Sequence, residues 1–267
     1  MSIIVECSFF NHGWRYLNML RNFLCCIVLF LIQITSFLSQ AQEENVNIIS
    51  AGTPLHIKVV TEDAYPIQYE KNGEILGPST ELVKSVLDES NISYSIELLP
   101  WARAYNIALN QPNTMIYSLA RTEQRESLFH WIGSVLRINY YLVGKESLKL
   151  SEPITLASLK KLKIGVIRGS ATEQYLISQG FKNLYLVSKP SQSINMLKLG
   201  RIDLFPTNYS SFQLSCLHLK VDCQQIKPFY HLEQLSTSLY FALSKQTKNE
   251  IVDKITAAYR KVMQRDE

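Results

Sequence analysis

Two arginines, Arg121 and Arg125, lie four residues apart in a polar turn that follows a short apolar segment. That segment, 114–117, has the composition of a β-strand, and Phe129 and Trp131 lead back into a hydrophobic core after the turn. A guanidinium held at the end of a strand is suited to bind a carboxylate or a phosphate through two hydrogen bonds. The same spacing also fits two solvated arginines on a surface turn, and the turn alone leaves both interpretations open.

The segments around this turn alternate between strand and helix patterns. Strands are predicted at 55–60, 94–99, 114–117, 162–167, 183–187, 203–206 and 239–243. Helices are predicted at 80–90, 101–109, 155–160, 170–178, 191–199, from about 209, and at 250–263. This order predicts an α/β protein with two lobes, each a mostly parallel sheet flanked by helices.

Two chain crossings are expected between these lobes, near 138–143 and near 234–239. The first lobe would consist of residues 42–140 together with 240–267, and the second of residues 141–239. A double crossing forms a hinge, and the cleft between two hinged lobes is the default place for a ligand.

The first 41 residues have the organisation of a secretory signal peptide. Arg21 precedes an uncharged apolar run, 23–37, and small residues at Ser39 and Ala41 fit a cleavage site. A transmembrane anchor is the alternative, although the run is shorter than the roughly 20 residues that a span needs. We therefore predict an exported, periplasmic protein whose mature chain begins near Gln42.

Cysteine and charge content agree with export. Cys7, Cys25 and Cys26 fall in the leader, so Cys216 and Cys223 remain as a candidate disulfide, with two buried thiols as the alternative. The chain has 27 Lys and Arg against 23 Asp and Glu, a near balance that argues against a nucleic-acid partner. With neither CxxC nor HExxH in the sequence, no metal and no cofactor are predicted.

Several motifs, in their order and spacing, resemble one family. They are the segment 60–66, Gly77, Pro-Trp-Ala-Arg-Ala at 100–104, the Arg-Thr-x-x-Arg-x-x-x-Phe-x-Trp-x-Gly pattern at 121–133, and the segments 164–170 and 199–203. With these motifs, residues 55–265 resemble a periplasmic solute-binding protein of the amino-acid ABC transporter type, in the bacterial extracellular solute-binding protein family 3. The resemblance implies the type II periplasmic-binding-protein fold and a monomer without enzymatic activity. It also implies capture of a small, carboxylate-bearing ligand, such as an amino acid or a related organic acid, for a membrane permease or a sensor kinase.

The resemblance implies a role for each matching residue of the first lobe. Arg125 would bind the ligand carboxylate, whereas Arg121 would contact the backbone or a neighbouring carboxylate. Tyr65 would stack on the ligand and Trp101 would act as an aromatic lid, although both rings could equally belong to the rim or the core. Ser118 would also touch the ligand.

At two further places the resemblance implies contacts through backbone atoms. Ala120 would contribute its backbone only. Gly169, Ser170 and Ala171 would present free N–H groups at a helix N-terminus, a natural anion site that would meet the same carboxylate as Arg125. A plain N-cap formed by Ser170 is the alternative for this turn.

Asn208 is a departure from the family pattern. Amino-acid binders carry an acidic residue at this position, where it pairs with the ligand's α-ammonium. A neutral amide does not neutralise a buried ammonium, and an unpaired buried cation is costly. The sequence therefore predicts compensation by Tyr209 or Glu233, or a ligand that has a carboxylate and no amine.

Other functions remain open at this point. An enzyme on the same fold, resembling the dehydratases among the relatives, would use Glu173 as acid or base, but Glu173 is more simply a partner of a helix N-terminus. A ligand-sensing protein without a transport role and a degenerate scaffold are further alternatives.

Overall fold

The computed structural model describes residues 55–265, and the predicted signal peptide lies outside these residues. The strands are β1 (His56–Thr61), β2 (Tyr69–Lys71), β3 (Glu74–Leu76), β4 (Ser93–Leu98), β5 (Thr114–Ala120), β6 (Phe129–Arg137), β7 (Tyr140–Lys145), β8 (Ile164–Ile167), β9 (Leu184–Val187), β10 (Leu204–Asn208), β11 (Ile226–His231) and β12 (Ser238–Ser244). The α-helices are α1 (Pro78–Ser90), α2 (Trp101–Asn110), α3 (Ala171–Ser178), α4 (Pro190–Lys198), α5 (Tyr209–His218) and α6 (Asn249–Arg265). Short 3-10 helices cover Glu123–Leu128, Ala157–Lys161 and Glu233–Leu235.

The sheet of the first lobe has the strand order β4-β1-β5-β12-β6. Strand β1 runs parallel to β4 and β5, and β12 runs antiparallel to β5 and β6. Successive side chains of a strand point to opposite faces. Ile57 and Val59 thus join a core with α1 and α6, and Val60 joins a second core with α2 on the other face.

The sheet of the second lobe has the order β11-β7-β10-β8-β9. Strand β8 is parallel to β9 and β10, and β7 is antiparallel to β10 and β11. Leu176 of α3 packs in one core with Ile164 and Leu204, and Phe212 of α5 packs in another with Ile194 of α4. Helices therefore contribute to two cores in this lobe as well.

The chain passes between the two sheets twice, from β6 to β7 and from β11 to β12. Both passages overlap the predicted crossings. The predicted α/β fold with two lobes and a double-crossing hinge is confirmed.

The strand predictions missed the hairpin β2-β3 and the strands β6, β7 and β11. All four pairings that these strands form are antiparallel. Strand β11 contains Pro228, and a proline argues against a strand in the sequence. Because β11 lies at the edge of its sheet, the missing N–H of the proline is tolerated.

The predicted disulfide between Cys216 and Cys223 is formed, with a Cα–Cα distance of 6.1 Å. Both residues are buried, in the same core as Phe212. The bond therefore ties the end of α5 to the segment that leads into β11.

Replacement of both cysteines, Cys216→Ala with Cys223→Ala, is expected to lower the free energy of unfolding by about 2 kcal/mol. The bond closes a short loop of sequence separation 7, so the entropic effect on the unfolded chain is modest. Thermal unfolding with and without dithiothreitol measures the contribution of the disulfide to stability. The wild type should lose stability on reduction and the double variant should not respond, whereas a reductant-insensitive wild type would contradict the prediction.

Candidate functional site

A cavity of about 210 Å³ lies between the two lobes. The first lobe lines it with the segment 62–65 and Ile67, directly after the end of β1. The second lobe contributes side chains from the start of β7 and from β8, α4, β10 and α5. A ligand at this place would touch both lobes.

Tyr65 connects the lobes at this cavity. Its ring stacks on that of His218, with ring centroids 4.0 Å apart and planes 9° from parallel. Its carbonyl oxygen accepts a hydrogen bond from Oγ of Ser215, at 2.7 Å. The structure thus places Tyr65 in the cavity wall and stacks its ring against α5.

Gly169 forms a second contact between the lobes. Its carbonyl oxygen accepts hydrogen bonds from Nε1 of Trp101, at 3.1 Å, and from Nη2 of Arg125, at 3.2 Å. The described structure is therefore one in which the lobes are closed on each other.

Arg125 is buried, with 1% of its surface exposed, and does not line the cavity. Its Nη1 donates to the carbonyl of Ala120 at 3.3 Å, and its guanidinium lies 4.9 Å from the ring centroid of Tyr105 and 5.9 Å from that of Trp101. Nε is buried without a hydrogen-bond partner. Burial lowers the pKa of Arg125 below its ordinary value, because the charged form is poorly solvated here.

Arg121 has a different environment, as predicted. It is exposed and forms a bidentate salt bridge with Glu126, in which Nε lies 2.8 Å from Oε2. Its guanidinium also lies over the rings of Trp131 and Tyr240. The two arginines of the turn are therefore one surface pair and one buried cation.

Three predicted contact residues of the first lobe lie away from the cavity wall. Trp101 is buried and bonds Gly169. Ser118 donates from Oγ to Oε1 of the buried Gln68 at 2.9 Å, and Ala120 accepts from Arg125. Trp101 and Ala120 thus lie next to Arg125, and Ser118 lies next to Gln68.

The turn at the start of α3 uses its own polar groups. Gly169 has a φ of +73°, and its N–H donates to the carboxylate of Glu173. Oγ of Ser170 accepts from the backbone N–H of Glu173 at 3.1 Å. Ser170 therefore caps the helix, which was the alternative interpretation, and it alone of Gly169, Ser170 and Ala171 lines the cavity. The carboxylate of Glu173 is therefore bound within the same turn, by the N–H of Gly169.

Asn208 lines the cavity at the end of β10. Its Oδ1 accepts from the backbone N–H of Asn139 at 3.4 Å, so the amide oxygen is directed at the connection between the lobes. Tyr209 and Glu233, the compensating residues suggested by the sequence, are not part of the cavity wall.

Sequence reasoning missed two carboxylates of the cavity wall, Glu62 and Asp63. Oε2 of Glu62 is buried and has no hydrogen-bond partner. Burial, and secondly the negative charge of Asp63, raise the pKa of Glu62 from 4.5 to about 7. The signal that points to them is their place directly after β1, because ligands of α/β sheets bind at the carboxyl ends of strands.

The pKa values of Asp63 and Tyr140 are also shifted. Burial raises the pKa of Asp63, while the positive charges of Lys189 and His218 act in the opposite direction. The pKa of Tyr140 is raised, by burial first and by the charge of Glu62 second. The positive charge of Arg125 acts in the opposite direction. Tyr140 thus lies within electrostatic range of both the buried carboxylate and the buried guanidinium.

Within residues 55–265, no group of three or more His, Cys, Asp and Glu side chains could hold a metal ion. None of the helices described is both long and apolar enough to cross a membrane.

Neither a protein-family model nor a curated protein sequence matches the chain. Solved structures do match it. An ancestral arginine-binding protein bound to arginine is 18% identical, with a TM-score of 0.67 over 78% of this chain and 92% of the other. A histidine kinase sensor domain with similarity to periplasmic binding proteins is 14% identical, with a TM-score of 0.69 over 79% and 91%.

A third solved structure belongs to a transport system. The amino-acid ABC transporter substrate-binding protein AbpA from Streptococcus pneumoniae, bound to L-arginine, is 17% identical, with a TM-score of 0.66 over 79% of this chain and 90% of the other. At these identities the likeness establishes the fold. The chain has the two-lobed fold of the periplasmic binding proteins, which is the fold implied by its resemblance to the family 3 extracellular solute-binding proteins.

Proposed function

We propose that this protein is a periplasmic solute-binding protein that captures a small ligand between its lobes. The observation that carries the proposal is the cavity, which is lined by both lobes and bordered by direct contacts between them. A ligand that contacts both lobes binds the closed state more tightly than the open one, and this difference is what drives closure.

Arg125 is the proposed partner of a carboxylate on that ligand. A buried guanidinium whose Nε lacks a partner, and which forms no salt bridge with any carboxylate of residues 55–265, has unused capacity for an anion. In the closed structure the carbonyl of Gly169 occupies one of its donors. A ligand carboxylate would displace this carbonyl from the guanidinium, with Trp101 and Ser118 as further contacts, and the lobes would then close around the ligand.

A membrane partner, either an ABC permease or a sensor kinase, would bind the closed form. The structural neighbours include a transport protein and a sensor domain, and three of the matching structures hold arginine or glutamine. Amino acids are therefore the first compounds to test. We further propose that the protein acts as a monomer. We also propose that it is not an enzyme, since the carboxylate of Glu173 accepts a hydrogen bond from Gly169 at the start of its own helix.

A thermal-shift screen of the purified protein with amino acids, organic acids and short peptides tests this function. A ligand present at 100 times its Kd stabilises the folded state by about 2.7 kcal/mol, which corresponds to a shift of roughly 5–10 °C for a chain of this size. Each ligand found should be recovered chemically unchanged after prolonged incubation. Turnover of the compound, or the absence of any shift across the screen, would contradict the proposal.

A further inference from the structure

We infer that the second lobe has a basic edge through which the protein docks on an anionic phospholipid surface. The inference goes beyond the proposed function and concerns a surface away from the cavity. The basic edge consists of exposed or half-buried side chains at one end of the second sheet: Lys145, Lys160, Lys161, Lys163, Lys182, Lys198, Arg201 and Lys227.

The charges of the chain are distributed unevenly between the lobes. Residues 141–239 carry twelve Lys and Arg against six Asp and Glu. Residues 55–140 together with 240–265 carry thirteen against twelve. The positive net charge of the described residues therefore belongs mostly to the second lobe, and such an asymmetry indicates a partner of opposite charge.

The strand register brings the basic residues to the same end of the sheet. Ile164, Leu184 and Leu204, at the amino ends of β8, β9 and β10, lie side by side. Leu204 also faces Gly144 near the carboxyl end of β7, where β11 begins. The basic residues lie within a few positions of these strand ends. They therefore follow one edge of about 20 Å, the width of five strands.

Contacts at this edge place its cations close to neighbouring segments. Nζ of Lys145 donates to the carbonyl of Lys198 at 3.0 Å, which joins the end of β7 to the end of α4. Nζ of Lys160 lies close to Gly180, directly after α3. The basic edge is thus formed by helix ends as well as by strand ends.

Few acidic groups oppose these cations. Glu146 forms a salt bridge with Lys227, and Oδ2 of Asp203 accepts from the backbone N–H of Lys163 at 2.7 Å. Within residues 55–265, no other residue of the basic edge forms a salt bridge. The remaining cations repel one another, and an anionic surface would relieve this repulsion.

Two exposed apolar side chains flank the basic edge. Leu199 is 67% exposed at the end of α4, and Ile177 is 56% exposed in the last turn of α3. The two helices pack in different cores on opposite faces of the sheet, so that one apolar side chain lies on each side. Basic residues combined with exposed apolar ones favour binding at the boundary between lipid headgroups and acyl chains.

The composition of the basic edge favours a lipid surface over a protein partner. All of its cations except Arg201 are lysines. Lysine is depleted in protein–protein interfaces, where arginine is enriched. Its flexible stem and compact charge suit phosphate headgroups that move within a bilayer, and each such charge adds to the attraction.

The cavity lies at the opposite end of the second sheet. Ile167 and Asn208, the last residues of β8 and β10, line it, and no residue of the basic edge does. A protein docked through this edge would keep its cavity accessible to a ligand while it is retained at the membrane.

Co-sedimentation with lipid vesicles tests the inference. The purified protein is mixed with vesicles of phosphatidylcholine alone, or of phosphatidylcholine with phosphatidylglycerol, at low and at high salt. Binding should require phosphatidylglycerol and should weaken at high salt, because salt screens exposed charges. The variant Lys160→Gln, Lys161→Gln and Lys182→Gln should bind about 100-fold more weakly, since each lysine near an anionic surface contributes about a factor of five.

The matched control removes the same charge from the first lobe, with Lys245→Gln, Lys248→Gln and Lys254→Gln, three exposed lysines. It should bind as the wild type does. A second edge variant, Lys198→Gln with Arg201→Gln, should bind about 25-fold more weakly than the wild type. Melting temperatures of all variants should match that of the wild type, because exposed substitutions of this kind have small effects.

Equal binding to both kinds of vesicle would overturn the inference, and so would equal affinity of the edge variants and the wild type. An equal loss in the first-lobe control would also overturn it, because net charge alone would then explain the binding. Binding to a soluble polyanion such as heparin, without binding to phosphatidylglycerol vesicles, would exclude the lipid surface. These outcomes leave the proposed function intact, whereas failure of the ligand screen leaves the basic edge untouched.

Discussion

Replacement of Arg125 with methionine should abolish stabilisation by a carboxylate ligand while the protein remains folded. Methionine fills a comparable volume against Tyr105 and Trp101, and it removes a buried charge whose Nε has no partner. Exchange of a buried charged group for an apolar one of similar size is often neutral or stabilising. Loss of the partner of a buried carboxylate costs about 2–5 kcal/mol of binding free energy, which is roughly a 30- to 4000-fold loss of affinity.

Arg121→Met is the matched control for this experiment. Arg121 forms an exposed pair with Glu126, and such pairs contribute about 1 kcal/mol or less. The control should therefore retain the ligand-induced shift in melting temperature. If Arg125→Met shows the same shift as the wild type, Arg125 does not bind the carboxylate, and its role is confined to the contact with Gly169.

The fold was largely predictable because its signals are local. The apolar segments predict the strands, and the helical spacing of apolar residues between them predicts the helices. Strands and helices alternate in this way along both lobes. The contact of Arg121 with a neighbouring carboxylate was also predictable, since Glu126 lies five residues away.

The cavity wall was less predictable because it depends on contacts distant in sequence. The partner of the Tyr65 ring is His218, and the carbonyl that Arg125 and Trp101 bind belongs to Gly169. No periodicity in the sequence encodes such pairs. Glu62 was missed because a carboxylate after a strand is usually solvated, and its burial becomes apparent only when the second lobe is in place.

The ligand-free protein is expected to lose stability as the pH rises from about 4.5 to about 7, through Glu62. The folded state raises the pKa of this carboxyl from 4.5 to about 7, so it binds the proton more tightly than the unfolded chain does. The contribution is fully present below pH 4.5 and is lost as the pH passes through 7. A shift of this size corresponds to at most about 3 kcal/mol.

Urea unfolding of the wild type and Glu62→Gln, at pH 5 and at pH 8 and without ligand, isolates this contribution. Asp63, Lys189, His218 and Tyr140 line the same cavity and are present in both proteins, so the difference between the two pH responses reports on Glu62. The variant should gain about 2 kcal/mol relative to the wild type on going from pH 5 to pH 8. Identical pH responses in the two proteins would contradict this prediction, because Glu62 would then titrate as a solvated carboxylate does in the unfolded chain.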